Sequence, residues 1–276
     1  MGTFYHSLLI LLFLVSSLSI QAQGLKVGLA LGGGGAKGAA TIGVLKVIER
    51  AGIKADYIAG TSIGAIIGGL YSVGYSISEL ETLFLSQEWQ DVLEGHRVES
   101  KLKLLFENRG AKTFRDTRIP FKCVAAENGS FKEVVLSSGS LYKAIRASMS
   151  IPIVYEPVKW GDKYLVDGGL INNLPVDVVR AMGADIVIAI DLQQNGEFGI
   201  GITTGTGGLV DWFLTRPDIE RRRKNILDAD LHIHPILPDF TTVSFGHDNC
   251  ELMIQMGEER GEWHWDELLE IRNSQR

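Results

Sequence analysis

Residues 25–73 read LKVGLALGGGGAKGAATIGVLKVIERAGIKADYIAGTSIGAIIGGLYSV, and this stretch decides the fold. Its first seven residues are a short apolar run ending in glycines, the pattern of a buried strand. Residues 38–51 then carry Ile42, Leu45 and Ile48 at helical spacing, with Gly52 as a stop. Residues 57–61 give a second short strand, and residues 63–73, apolar and small, a buried helix. Strand, helix, strand and helix in quick succession predict an α/β fold with a largely parallel sheet.

Further along the chain, residues 76–108 carry a helical, amphipathic pattern. Residues 121–126, 133–136 and 164–167 read as strands. Residues 176–182 read as a helix, with Pro175 near its start and Gly183 after it. Residues 186–191, IVIAID, form a fully apolar strand, and the Gly-, Thr- and Gln-rich residues 193–208 a loop. A last strand is expected at 231–234 and a last amphipathic helix from 249 to the C-terminus. There is no internal repeat, and 276 residues with 45% hydrophobic content suit one large domain. The formal net charge of −6 excludes a general nucleic-acid binder, which would be basic.

Residues 1–22 differ from the rest. Residues 8–15, LLILLFLV, are apolar, no charged side chain precedes Lys26, and small polar residues lead to Ala22. The run falls short of the ~20 apolar residues of a membrane span and fits a signal peptide. We expect cleavage near Ala22 and an exported, periplasmic or secreted body at 23–276; an uncleaved anchor is the other reading. Cys123 sits in an apolar stretch, FKCVAA, and reads as a core residue rather than half of a disulfide with Cys250.

Three motifs carry chemistry. Gly60-Thr61-Ser62-Ile63-Gly64 is a G-x-S-x-G sequence between a predicted strand and a predicted helix. In that setting a sharp turn lifts the serine hydroxyl out of the sheet. The helix that follows aims its N-terminal dipole at the site. Gly32 to Gly35, then Ala36, Lys37 and Gly38, follow the first strand, and successive glycines let backbone N–H groups approach an oxyanion. Gly33, Gly35 and Gly38 also satisfy the dinucleotide fingerprint, which wants an acidic residue about 20 positions on, closing the second strand. Asp56 precedes that strand instead, so the nucleotide reading ranks lower. The third motif, Asp167-Gly168-Gly169, places a carboxylate at a strand end; its plain reading is a D-G turn.

A serine nucleophile needs a base, usually histidine. Ser62, then Asp167 or Asp191, then His232, His234 or His247 would obey the chain order of an α/β-hydrolase triad, so that reading stays open. His232 and His234 share one face of a possible strand, with no obvious third metal ligand.

The series GGGGAKGAATIGVLKVIERAGI, GTSIG, ASMSIPIVYEPV and DGGLINNLPV resembles the patatin-like phospholipase family over about residues 26–191. The resemblance implies a three-layer α/β/α sandwich and hydrolysis of lipid acyl esters by a Ser-Asp dyad, with no metal, cofactor or catalytic histidine. Carried onto this chain, it implies Ser62 as nucleophile and Asp167 as general base. It also implies an oxyanion hole from Gly33, Gly34, Gly35, Lys37 and Gly38, with Gly60, Gly64, Gly168 and Gly169 supporting the motifs. Asn172, Asn173 and Pro175 match the segment after the aspartate, and Ser148 to Pro152 a loop shaping the site. Thr41 stands where many bacterial relatives carry His.

The implied partner is a phospholipid or other acyl lipid, with transient contact at a membrane surface. Two surfaces invite that contact: Leu102, Leu104, Leu105 and Phe106 among Lys101, Lys103 and Arg109, and the basic run Arg221 to Lys224 near Trp212 and Phe213. For each the plainer reading is favoured: a packed helix for the first, and for the second a solvated helix face balanced by Asp218 and Glu220. A lipid-binding module without catalysis is the non-enzymatic alternative.

Overall fold

The computed structural model describes residues 24–87, 89, 98–194 and 219–275. The expected signal segment at 1–22, most of the 193–208 loop, His96, Trp212, Phe213 and Asp218 lie outside the described residues.

Eight strands form one sheet: β1 (Val27–Leu31), β2 (Tyr57–Thr61), β3 (Phe121–Glu127), β4 (Glu133–Leu136), β5 (Val158–Trp160), β6 (Lys163–Asp167), β7 (Ile186–Ile190) and β8 (Leu231–Ile233). Pairing runs β5-β6-β3-β2-β1-β7-β8, and β4 also pairs with β3. The five strands β3, β2, β1, β7 and β8 are parallel. β4 and β6 run antiparallel to β3, and β5 antiparallel to β6, so the expected parallel sheet has an antiparallel end.

The central strands are apolar along their whole length because both faces are covered. One face presents large side chains, Leu29, Leu31, Ile58, Ile188 and Ile190. Against it pack helices α1 (Gly38–Arg50), α2 (Ile63–Ser72), α3 (Ile77–Leu85), α4 (Val98–Glu107) and α5 (Leu141–Ser148). The other face presents small ones, Ala30, Ala59 and Ala189, under α6 (Val176–Ala181) and Ile226 of α7 (Ile219–Asp228). The period of two along each strand thus sorts large from small residues and yields the three layers. The C-terminal region, expected as one helix, is two: α8 (His247–Glu262) and α9 (Trp265–Ser274).

The pairing register has a local consequence. A strand has two edges, and β4 takes one edge of β3 along Cys123 to Ala126. β2 pairs with β3 up to Val124, and β6 pairs from Ala125 onward, so both lie on the opposite edge. Running in opposite senses, they meet head to head: Thr61 pairs with Val124 and Asp167 with Ala125. The residue that follows β2 and the last residue of β6 therefore converge.

Candidate active site

The converging residues are Ser62 and Asp167, and the Ser62 hydroxyl donates to Asp167 Oδ2 at 2.7 Å. Both are buried, Ser62 at 3% exposure and Asp167 at 0%. Ser62 forms the turn between β2 and α2 with φ 55° and ψ −123°, a conformation rare outside glycine. Its neighbours must be glycine for reasons of space. A Cβ on Gly60 would lie 2.4 Å from the Gly64 carbonyl oxygen, and one on Gly64 would lie 2.2 Å from that of Leu31. The backbone N–H of Ser62 donates to Ser148 Oγ at 3.0 Å, and that hydroxyl donates to the Val124 carbonyl at 2.6 Å. The Thr61 hydroxyl donates to the Asn172 carbonyl at 2.8 Å, tying the turn to the segment after Asp167.

Burial pushes the Asp167 carboxyl up to about 7, because a charge in an apolar interior loses its hydration. The Gly169 N–H, donating to Oδ1 at 2.7 Å, and the Ser62 hydroxyl pull in the opposite direction and lose. Asp167 is thus set near neutrality, where a group can both take and return a proton.

The glycine loop closes over the end of β1, between β2 and β7. The resemblance implied an oxyanion hole from five residues of this loop, Gly33, Gly34, Gly35, Lys37 and Gly38, and their amides are differently engaged. The Gly33 N–H donates to the Asn173 carbonyl at 3.1 Å and the Lys37 N–H to the Gly34 carbonyl at 3.2 Å. The Gly38 N–H turns back on the carbonyls of Gly35 and Ala36. Only the amides of Gly34 and Gly35 have no backbone acceptor among the described residues. Gly33 serves by its lack of a side chain: a Cβ there would sit 2.4 Å from Asn173 Oδ1 and 3.1 Å from Ser62 Cβ. Lys37 is buried, as is Thr41. The loop is capped by the 241–244 turn, whose Thr242 carbonyl accepts from the Ala36 N–H at 2.8 Å.

Among the described residues, no histidine is bonded to Ser62 or Asp167. His247 Nδ1 contacts the Leu85 carbonyl, and His264 contacts Glu267. His232 and His234 gather instead around Asp191, at the end of β7. His232 Nε2 lies 3.1 Å from Asp191 Oδ2, and His234 Nδ1 lies 2.9 Å from the Asp191 carbonyl. The third ligand-type residue absent from the sequence pattern is therefore Asp191. Its carboxylate already holds a cation, since Arg222 donates to Oδ2 at 2.6 and 3.1 Å. Burial pushes Asp191 up, but the His232 hydrogen bond and the Arg222 charge outweigh it and hold the carboxyl below its ordinary value. Burial pushes His234 down, against the pull of Asp191.

Of the two surfaces considered for membrane contact, the first follows its favoured reading as a packed helix, and the second departs from the solvated helix face expected of it. Leu102, Leu105 and Phe106 are buried and only Leu104 is exposed, so α4 is a packed helix. Arg221 and Arg222 turn inward rather than toward solvent. Arg221 reaches Glu133 and Asp177 at 2.7 Å each, and Arg222 reaches Asp191. Sequence order gave no sign of these pairings, which bridge segments far apart in the chain.

An α/β sandwich with a serine on a strand-to-helix turn, bonded to a buried carboxylate, defines the class of protein. The chain belongs to the patatin-like phospholipase family, which it matches over residues 29–180. It is 36% identical over 220 residues, 72% of its length, to human patatin-like phospholipase domain-containing protein 6. It is 35% identical over 286 residues, 89% of its length, to lysophospholipase nte1 of Emericella nidulans. The chain spans 15% and 18% of those two proteins. Among solved structures, VipD from Legionella pneumophila aligns with 88% of this chain and 67% of its own, with a TM-score of 0.57 at 13% identity. The ExoU-SpcU complex of the type III secretion system of Pseudomonas aeruginosa aligns with 90% of this chain and 52% of its own, with a TM-score of 0.51 at 17% identity. At those identities the likeness speaks for the fold alone.

Proposed function

We propose that this protein hydrolyses fatty acyl esters of lipids, as a phospholipase A or lipid esterase, through Ser62 and Asp167. The direct 2.7 Å hydrogen bond from the Ser62 hydroxyl to Asp167, with no histidine between them, carries this reading. In the mechanism Ser62 Oγ attacks the acyl carbonyl and its proton passes to Asp167 Oδ2. The amides of Gly34 and Gly35 stabilise the oxyanion, each such donor being worth roughly 3 kcal/mol in the transition state. Collapse of the tetrahedral intermediate breaks the ester bond, and the leaving alcohol takes the proton back from Asp167. Water then attacks acyl-Ser62, gives its proton to Asp167, and releases the fatty acid as the serine is reprotonated. The apolar run at residues 8–15 adds the proposal that this chemistry takes place after export.

Hydrolysis of p-nitrophenyl esters and of phospholipid vesicles tests the assignment. Ser62→Ala and Asp167→Asn are expected to lower kcat by ~10³-fold or more. A variant lacking His232, His234 and His247 should keep most of its activity provided it folds. Selective loss in that folded histidine variant would install a triad in place of the dyad. A wild-type chain that hydrolyses nothing and takes no fluorophosphonate label at Ser62 would leave a binding module.

A further inference from the structure

Among the described residues, three other than glycine adopt positive φ: Ser62, Phe131 at 50° and Ile153 at 77°. Backbone strain of this kind persists only where the surrounding structure enforces it, and it collects at working positions. Ser62 is the proposed nucleophile. The other two are large apolar side chains held in water, Ile153 at 68% exposure and Phe131 at 47%, and Val154 beside Ile153 is also exposed. For a β-branched residue such as Ile153 a positive φ is a particular outlier.

These apolar residues belong to the segments that follow β3 and precede β5, the strands on either side of β6, whose last residue is Asp167. Phe131 is in the turn between β3 and β4, where its N–H donates to the Glu127 carbonyl. β3 continues past Ala125, the partner of Asp167, so this turn projects beyond the serine-aspartate junction. Ile153 and Val154 form the tip of the segment after α5, and that segment is pinned to the site at its base. The Ser150 carbonyl accepts from the Asp167 N–H at 2.9 Å, and Ser148 holds the Ser62 N–H. Arg146 donates to Ser150 Oγ and stacks 4.8 Å over the Tyr155 ring. The tip is therefore a fixed apolar projection on a polar, anchored base. Trp263, in the turn between α8 and α9, and Leu227, on α7, are as exposed, but single exposed apolar residues are ordinary for a protein surface.

We propose that these two segments dock on a lipid bilayer, with Ile153, Val154 and Phe131 entering the interface and Ser62 brought over the headgroups. The proposal rests on the lipid-hydrolase reading for its choice of partner. Apolar side chains on an anchored projection gain by leaving water. Lys132, exposed beside Phe131, keeps its charge at headgroup level while its stem lies along the apolar surface. The strain at Ile153 and Phe131 is the cost of presenting them there.

Sedimentation with vesicles of phosphatidylcholine and phosphatidylglycerol, four to one, tests binding in a Ser62→Ala background where hydrolysis cannot alter the vesicles. The parent should bind, and Ile153→Ser with Val154→Ser should weaken binding at least ~10-fold, as should Phe131→Ser. Ile153→Gly relieves the positive φ, so it should fold at least as well and still bind more weakly. With Ser62 intact, the same substitutions should cut vesicle hydrolysis while leaving kcat/KM for soluble p-nitrophenyl butyrate within about two-fold. Vesicle affinity equal to that of the parent, or a parent that does not bind vesicles, would overturn the proposal. A wild-type chain inactive on both substrates would overturn the hydrolase reading instead, and the binding arm would still decide docking.

Discussion

Asp167 is a carboxylate whose burial sets its proton affinity, and that has two consequences of opposite use. As the proposed base it must be ionised, so kcat/KM should climb about ten-fold per pH unit below 7 and level off above it. A profile flat between pH 5 and 8 would remove Asp167 from the proton transfer. For stability the sign reverses. The folded state holds the Asp167 proton up to about 7, whereas an unfolded aspartate releases it near 3.8. Burying the charge therefore destabilises the fold progressively from about pH 4 to 7, and fully above that. Asp167→Asn should be more stable than wild type at pH 8, by on the order of a few kcal/mol, and the gap should narrow to well under half of that at pH 5. Chemical denaturation at the two pH values measures it; equal gaps would contradict the burial account. Ser62 and Asp167 were legible in sequence because each sits in a short motif at the end of a predicted strand. Ser148 and Asn173 were named as parts of segments that the resemblance places by the site, but the bonds they make were not legible. Ser148 Oγ, the Asn173 carbonyl that occupies the Gly33 N–H, and Arg222 on Asp191 act across long stretches of chain. No local pattern requires them.

At the level of elements, the apolar strands and the helices following β1 and β2 were readable from periodicity and stop signals. β5 was missed because three residues, VKW, are too short to show a period; α5 does carry Leu141, Ala144, Ile145 and Ser148 at helical spacing, but over only eight residues. The antiparallel sense of β6 was also out of reach, since strand direction depends on pairing rather than composition. The packing of α1 on α8 belongs to the same class. A Cβ on Gly43 would lie 1.9 Å from the Ile254 carbonyl oxygen, and one on Gly257 would lie 2.0 Å from that of Ala40. The two helices meet backbone to backbone. Helix propensity alone favours Gly→Ala by ~1 kcal/mol. Gly43→Ala or Gly257→Ala should nevertheless destabilise by about 3 kcal/mol or more, because backbone cannot yield as a side chain can. A shift in the urea midpoint reads the result, and a stabilised variant would refute the contact.

On the scale of the molecule, Cys123 and Cys250 are both buried and free. Burial raises the proton affinity of each thiol, in keeping with the reading of Cys123 as a core residue. The sequence pointed to a single layered α/β body, and every described strand joins one sheet. What it could not show was how the ends of that body lie. The Leu25 N–H donates to the Ser274 carbonyl at 3.0 Å, and Gln275 exchanges hydrogen bonds with the backbone of Lys54. This junction sits ahead of β1, at the margin of the sheet opposite Ser62.

A body whose ends touch behaves as a closed ring cut at an arbitrary point. A permuted chain, with residues 24 and 275 joined by a few glycines and opened at the exposed Gly129, should therefore fold and keep its esterase activity. Failure of that permutant to fold would mean that the order of synthesis, and not only the final contacts, matters. The same geometry makes the unit a cassette. It can be spliced into a loop of an unrelated host with entry and exit side by side, on the margin of the sheet away from Ser62.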